Sequence, residues 1–128
     1  MSRVPTMLIV DDSRFARHMI RKFITHAFPD WTILEAGNGQ EALEKTAKVA
    51  VDVMTIDFNM PGMDGLTLAT ALHTRYPAAR ITLLTANIQE SVQQRAAATG
   101  VRFLAKPLTE DDRAAFLACV CGEQPWSI

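Results

Sequence analysis

Short apolar, β-branched runs alternate along this chain with longer stretches whose apolar residues recur every three or four positions. The short runs are Thr6–Val10 (TMLIV), Trp31–Glu35 (WTILE), Val53–Asp57 (VMTID), Arg80–Leu84 (RITLL) and Val101–Ala105 (VRFLA). Three of them are nearly all apolar, the pattern of strands buried on both faces of a parallel sheet. In Arg14–Phe28 the residues Ala16, Met19, Ile20, Phe23, Ile24 and Ala27 fall on one helical face. Asn38 and Glu41 predict a capping box that opens a helix over Gly39–Lys48. Thr109 and Asp112 repeat the device before a last helix that runs to about Cys121 and stops at Gly122. Two more helices are predicted at Leu66–Arg75, ahead of Pro77, and at Ile88–Thr99, ahead of Gly100. Repeated strand-then-helix units imply right-handed crossovers, with helices on both faces of the sheet. The expected fold is α/β: one doubly wound parallel sheet over residues 6–121, with short tails at 1–5 and 122–128.

Composition narrows the class. The chain has 128 residues, 48% of them hydrophobic, which suits one domain with a core that needs no staples. Thirteen basic and 14 acidic residues leave a net charge of −1, which argues against a general nucleic-acid or membrane-surface binder. Cys119 and Cys121 stand too close in sequence to staple a domain. The opening residues do not read as a secretory segment, and the longest apolar runs are far short of a membrane span. A soluble, cytoplasmic protein is expected.

The chemistry gathers at one edge. In an open parallel sheet, ligands bind beyond the carboxyl ends of the strands, near the point where strand order reverses. The first strand runs into Asp11-Asp12-Ser13, the third ends in Asp57, the fourth in Thr85 and Ala86, and the fifth in Lys106-Pro107. The second ends in Glu35-Ala36-Gly37, with no comparable set. Three carboxylates brought together repel one another, and a hard divalent cation relieves the repulsion. Mg²⁺ takes about six oxygens, accepts one or two carboxylates with waters, and leaves room for a phosphoryl oxygen. Lys106 offers a mobile positive charge and Thr85 a hydroxyl donor to the same anion. The set suits phosphoryl transfer to a free carboxylate, where positioning and charge neutralisation do most of the work.

The segments LIVDDS, IDFNMPGMDG, LLTAN and FLAKP, in that order and each at a strand end, resemble the motifs of two-component response-regulator receiver domains. The likeness covers residues from about Thr6 to Cys121, and the chain's brevity makes it similar to single-domain, CheY-like regulators. The resemblance implies a flavodoxin-like (βα)5 fold with strand order 2-1-3-4-5. It implies that Asp57 accepts a phosphoryl group from the phosphohistidine of a histidine kinase or histidine phosphotransfer protein. Asp11, Asp12, Asp57 and the backbone carbonyl of Asn59 would hold Mg²⁺, with Mn²⁺ as a substitute. Lys106, Thr85 and the Ala86 amide would meet the phosphoryl group, and Lys106–Pro107 would be a cis peptide. Thr85 and Phe103 would carry the switch to a face built from helix four, strand five and helix five. Asn59 and Asn87 would set how fast water removes the phosphoryl group. Gly65 and Pro61 match the turn beyond the acceptor. Output would be through a protein target, possible pathways including chemotaxis or motility, with no direct nucleic-acid contact and no membrane insertion. Catalysis would be confined to the domain's own aspartyl phosphorylation and dephosphorylation.

Plainer roles exist for the same residues. Asp11 and Asp12 can cap the first helix, Thr85 the fourth, and Phe103 can be core. Arg14, Arg17, Arg21 and Lys22 read as a solvated helix face, or as a docking surface for the phosphodonor. His18, His26 and His73 read as surface residues, and no Cys/His spacing suggests zinc. Competing functions are a phosphorylation-independent binding module, a phosphate sink, and a haloacid-dehalogenase-like phosphatase. The last places a second aspartate two residues beyond its nucleophile, where this chain has Asn59.

Overall fold

The computed structural model describes residues 4–60, 62–85, 94, 101–105 and 116–117. Five strands, β1 (Thr6–Val10), β2 (Thr32–Ala36), β3 (Val53–Asp57), β4 (Arg80–Thr85) and β5 (Arg102–Ala105), form one sheet in the order β2-β1-β3-β4-β5. Every pairing is parallel. Helices α1 (Arg14–Ala27), α2 (Gly39–Lys48) and α3 (Gly65–Arg75) connect the first four strands.

Alternation along the central strands explains why they read as all-apolar. Met7, Ile9 and Val53 face one layer, where they pack with Ile20, Phe23 and Ile24 of α1 and with Phe116. Leu8, Val10, Met54 and Ile56 face the other, against Ala42 of α2 and Leu66, Leu68, Ala69 and Leu72 of α3. Each fully buried Leu, Ile or Phe side chain contributes about 1.5–3 kcal/mol relative to exposure. The edge strand β2 is covered only in part, so three of its five residues are half-buried.

At the amino ends of the strands, Asp52 ties three of them together. Its carboxylate and backbone N–H bond Thr6, at 2.8 Å each, and its carbonyl accepts the Arg80 N–H at 2.8 Å. Thr55 and Thr82 pair across β3 and β4, fully buried, and their hydroxyls have no hydrogen-bond partner among the described residues.

The predicted boundaries need small corrections. Trp31 is not in β2: it precedes the strand and stacks on Phe28 at 4.5 Å, so β2 starts and ends one residue later than expected. β4 extends to Thr85 and β5 begins at Arg102. α3 starts at Gly65 because Asp64 caps it, accepting the Thr67 N–H at 2.8 Å. The helices expected at 88–99 and 109–121 lie outside the described residues, apart from Gln94, Phe116 and Leu117, which are helical. Among the described residues, no helix is long and apolar enough to cross a membrane.

Candidate functional site

The carboxyl ends of β1, β3 and β4 bring Asp11, Asp57 and Thr85 to one edge of the sheet. Asp11 continues the β1–β2 ladder by one bond, donating its N–H to Ala36 O at 3.1 Å. There the chain turns, and the Asp11 carboxylate accepts the Ser13 N–H at 2.9 Å. Asp11 is 1% exposed, while Asp12 beside it faces solvent. Ser13, rather than either aspartate, caps α1, its hydroxyl accepting the Ala16 N–H at 3.2 Å.

Asp57 ends β3 opposite Leu84 and is 5% exposed. The next residue, Phe58, donates its N–H to Leu84 O at 2.8 Å, and Phe58 O accepts the Gly65 N–H at 2.9 Å. These bonds fix both ends of the β3–α3 loop, which also holds exposed Asn59 and a left-handed Gly62 at φ 83°. Thr85 closes β4, fully buried, in register with Ala105.

One carboxylate oxygen from each of Asp11, Asp12 and Asp57 lies within 4.8 Å of the others. This hard oxygen set, two members buried and one open to water, fits a small divalent cation that keeps part of its hydration shell.

The end of β2, which showed no comparable set in the sequence, carries a charged network. Glu35 accepts from Arg17 Nε at 2.9 Å and from Arg21 Nε at 2.8 Å, and Lys45 donates to its backbone carbonyl. Arg17 also donates from Nη1 to the Asp11 carbonyl at 2.6 Å. Burial works to raise the Glu35 pKa, but the hydrogen bonds from Arg21 and Arg17, with their charges, outweigh it and hold it below the ordinary carboxylate value. The basic run on α1 is therefore divided: Arg14 and Lys22 are exposed, whereas Arg17 and Arg21 turn inward to β2. The available sequence signal was their four-residue spacing on one helix face.

The sequence profile of the response regulator receiver domain matches residues 7–117. The chain belongs to the response regulator receiver family. This receiver domain is 35% identical over 107 residues to the chemotaxis protein CheY of Listeria monocytogenes, covering 82% of this chain and 88% of that protein. It is 39% identical over 85 residues to a protein-glutamate methylesterase/protein-glutamine glutaminase of Myxococcus xanthus, covering 66% of this chain but only 24% of that longer protein. The solved structure of Vibrio cholerae chemotaxis protein CheY4 superimposes with a TM-score of 0.81 at 30% identity, over 92% of this chain and 99% of that one. The receiver domain is thus a CheY-like signalling domain of the two-component class, with chemotaxis-related relatives, and not a conventional enzyme.

Of the residues singled out in the sequence, Asp11, Asp12, Asp57 and Thr85 stand at the strand ends as expected, and Asn59 lies in the loop beyond the acceptor position. Phe103 lies in β5 in register with Leu83. Lys106, Pro107, Ala86, Asn87 and Pro61 fall outside the described residues. His18 and His26 are exposed and His73 is half-buried.

Proposed function

We propose that this receiver domain, spanning residues 6–121, is a phosphorylation-driven switch that takes its phosphoryl group from a phosphohistidine onto Asp57. The convergence of Asp11, Asp12 and Asp57 at the carboxyl edge of the sheet carries this reading. In the transfer, a carboxylate oxygen of Asp57 forms a bond to phosphorus as the bond from phosphorus to the donor's imidazole nitrogen breaks. A nucleophile stripped of most of its water and held at a strand end beside Asp11 and Asp12 is preorganised for that attack. Asp11, Asp12, Asp57 and the Asn59 carbonyl would hold Mg²⁺. Bound there, the ion supplies positive charge to offset the incoming phosphoryl oxygens.

Lys106 supplies a positive charge to the phosphoryl group, and Thr85 and the Ala86 amide supply donors to it. Inward movement of Thr85, followed by Phe103, would favour one form of the face built from helix four, strand five and helix five. A target that binds this form more tightly completes the switch as a population shift. Asn59 and Asn87 set the lifetime of the acyl phosphate by controlling the approach of water. The domain acts catalytically on itself alone, and its output is through protein contact, with chemotaxis or motility control the pathway its relatives support.

Intact mass after incubation with a small-molecule phosphodonor, with and without Mg²⁺, tests the reading. A single Mg²⁺-dependent phosphoryl adduct, lost in a folded Asp57→Asn variant, is the expected result. An adduct that persists in the variant overturns the assignment of Asp57. No adduct from wild type, even with a phosphorylated histidine phosphotransfer protein, moves a phosphorylation-independent binding role to the front.

A further inference from the structure

The charged network behind the acidic cluster meets the site at the Asp11 backbone carbonyl. Asp11 follows β1 and makes the last bond of its ladder to β2, and its backbone carbonyl sits at the point where the chain leaves the sheet. A carbonyl in so buried a place needs a donor. The donor is Arg17 Nη1, at 2.6 Å. Arg17 is itself held: its Nε bonds Glu35 at 2.9 Å, and Glu35 is fixed from the other side by Arg21, at 2.7 Å from Nη2. Only 16% of the Arg17 side chain is exposed, against 40% for Arg21.

We propose that Arg17 is a positioning residue of the acidic site. It grips the Asp11 carbonyl from behind, so that the Asp11 and Asp12 carboxylates keep their placement toward Asp57. The inference rests on the reading of that cluster as the Mg²⁺ site. Arg17 and Arg21 share Glu35, but only Arg17 extends the network to the β1–α1 turn; Arg21 reaches back instead to the Ile33 carbonyl at 3.4 Å.

Two roles for Arg17 predict opposite signs. As a charge, a guanidinium bonded to the Asp11 carbonyl repels a nearby divalent cation, so its removal should tighten Mg²⁺ binding. As a positioner, its removal loosens the turn and weakens binding, by about tenfold if it resembles other outer-shell partners of metal ligands. Lysine keeps the charge but cannot hold Glu35 and the Asp11 carbonyl together in one planar fork.

The test is calorimetric titration of Mg²⁺ into wild type, Arg17→Gln, Arg17→Lys and Arg21→Gln. It is paired with amide hydrogen exchange at Asp12 and Ser13 in the metal-free proteins and with denaturation to confirm folding. Positioning predicts about tenfold weaker binding and faster exchange at both amides for Arg17→Gln, and the same direction for Arg17→Lys. Arg21→Gln, which loosens Glu35 without releasing the turn, should lose stability but keep wild-type affinity. Tighter or unchanged binding in Arg17→Gln overturns the proposal, as does an equal loss of affinity in Arg21→Gln. A wild type that binds no Mg²⁺ overturns the metal reading itself. The exchange rates then decide whether Arg17 holds the turn.

Discussion

Gly65 stands directly against the backbone of Asp57. A Cβ at Gly65 would overlap the Asp57 carbonyl oxygen and lie 2.7 Å from Asp57 C and from Phe58 Cα. All three atoms are backbone, so no side chain can swing aside to make room. The requirement is for space rather than for unusual dihedral angles, since Gly62 alone has positive φ among the described glycines. Close approach of α3 to the end of β3 is what brings the loop back over Asp57.

Gly65→Ala should therefore cost about 1–3 kcal/mol, the range for overpacking a tight site, and should also displace Asp57. Gly62→Ala makes a clean comparison, because an added Cβ there meets nothing within 4 Å. It should cost about 1 kcal/mol from its left-handed backbone and leave the yield of phosphoryl adduct near wild type. Urea denaturation with intact mass separates the two, and equal adduct yields from both variants would refute the special role of Gly65.

Glu35 should make stability depend on acid pH. Its folded pKa lies below the ordinary 4.5, so the unfolded chain takes up a proton first as pH falls. The stabilisation is complete above 4.5 and is lost as pH drops through the lower folded value. Glu35→Gln should destabilise by about 1–2 kcal/mol at neutral pH, as expected for losing charged hydrogen bonds, and the gap to wild type should close in acid. Urea midpoints across the acid range check the sign; a gap that widened in acid would contradict it.

Thr82→Val should raise stability by about 0.5–1.5 kcal/mol, because it replaces a buried hydroxyl that lacks a partner among the described residues with a methyl of similar shape. Thr55→Val should act in the same direction, and as the two residues pair across β3 and β4 their effects need not add. Thermal denaturation of both single variants and the double variant decides it, and a loss of more than about 1 kcal/mol in either single would mean that its hydroxyl is bonded.

Ser13→Ala removes the cap of α1 and should cost about 1 kcal/mol. The bond from the Ser13 N–H to the Asp11 carboxylate is a backbone donation and survives the change. Mg²⁺ affinity should therefore stay within about twofold of wild type, well short of the tenfold scale of an outer-shell partner. Calorimetry shows whether capping and metal binding are separable in this turn.

How much of this was legible in the sequence depended on whether the cause was local. β1 and β3 have their expected bounds because central strands buried on both faces leave an unbroken apolar run. α2 has its expected bounds because Asn38 accepts the Glu41 N–H at 2.8 Å, although Glu41 reaches back to the Gly37 N–H rather than to that of Asn38. Trp31 misled because an aromatic beside β-branched residues looks like strand, and its stacking on Phe28 is visible only in three dimensions. The acidic cluster could be read because Asp11 and Asp12 directly follow one apolar strand and Asp57 closes another. The Glu35 network could not: the four-residue spacing of Arg17 and Arg21 puts them on one face of α1, but their shared partner lies 18 and 14 residues away on another element.

The strand order also constrains the route by which the chain folds. β1, the earliest strand in the chain, is central, and its inner neighbour β3 lies far along the sequence, Thr6 bonding Asp52 across 46 residues. That closure is non-local and entropically slow, so the middle of the sheet should be among the later contacts to form. Asp57 meets Asp11 and Asp12 only when β1 and β3 have paired. A cation seated among them would therefore bind only chains whose central pair has closed, and would slow the separation of the sheet at its midline.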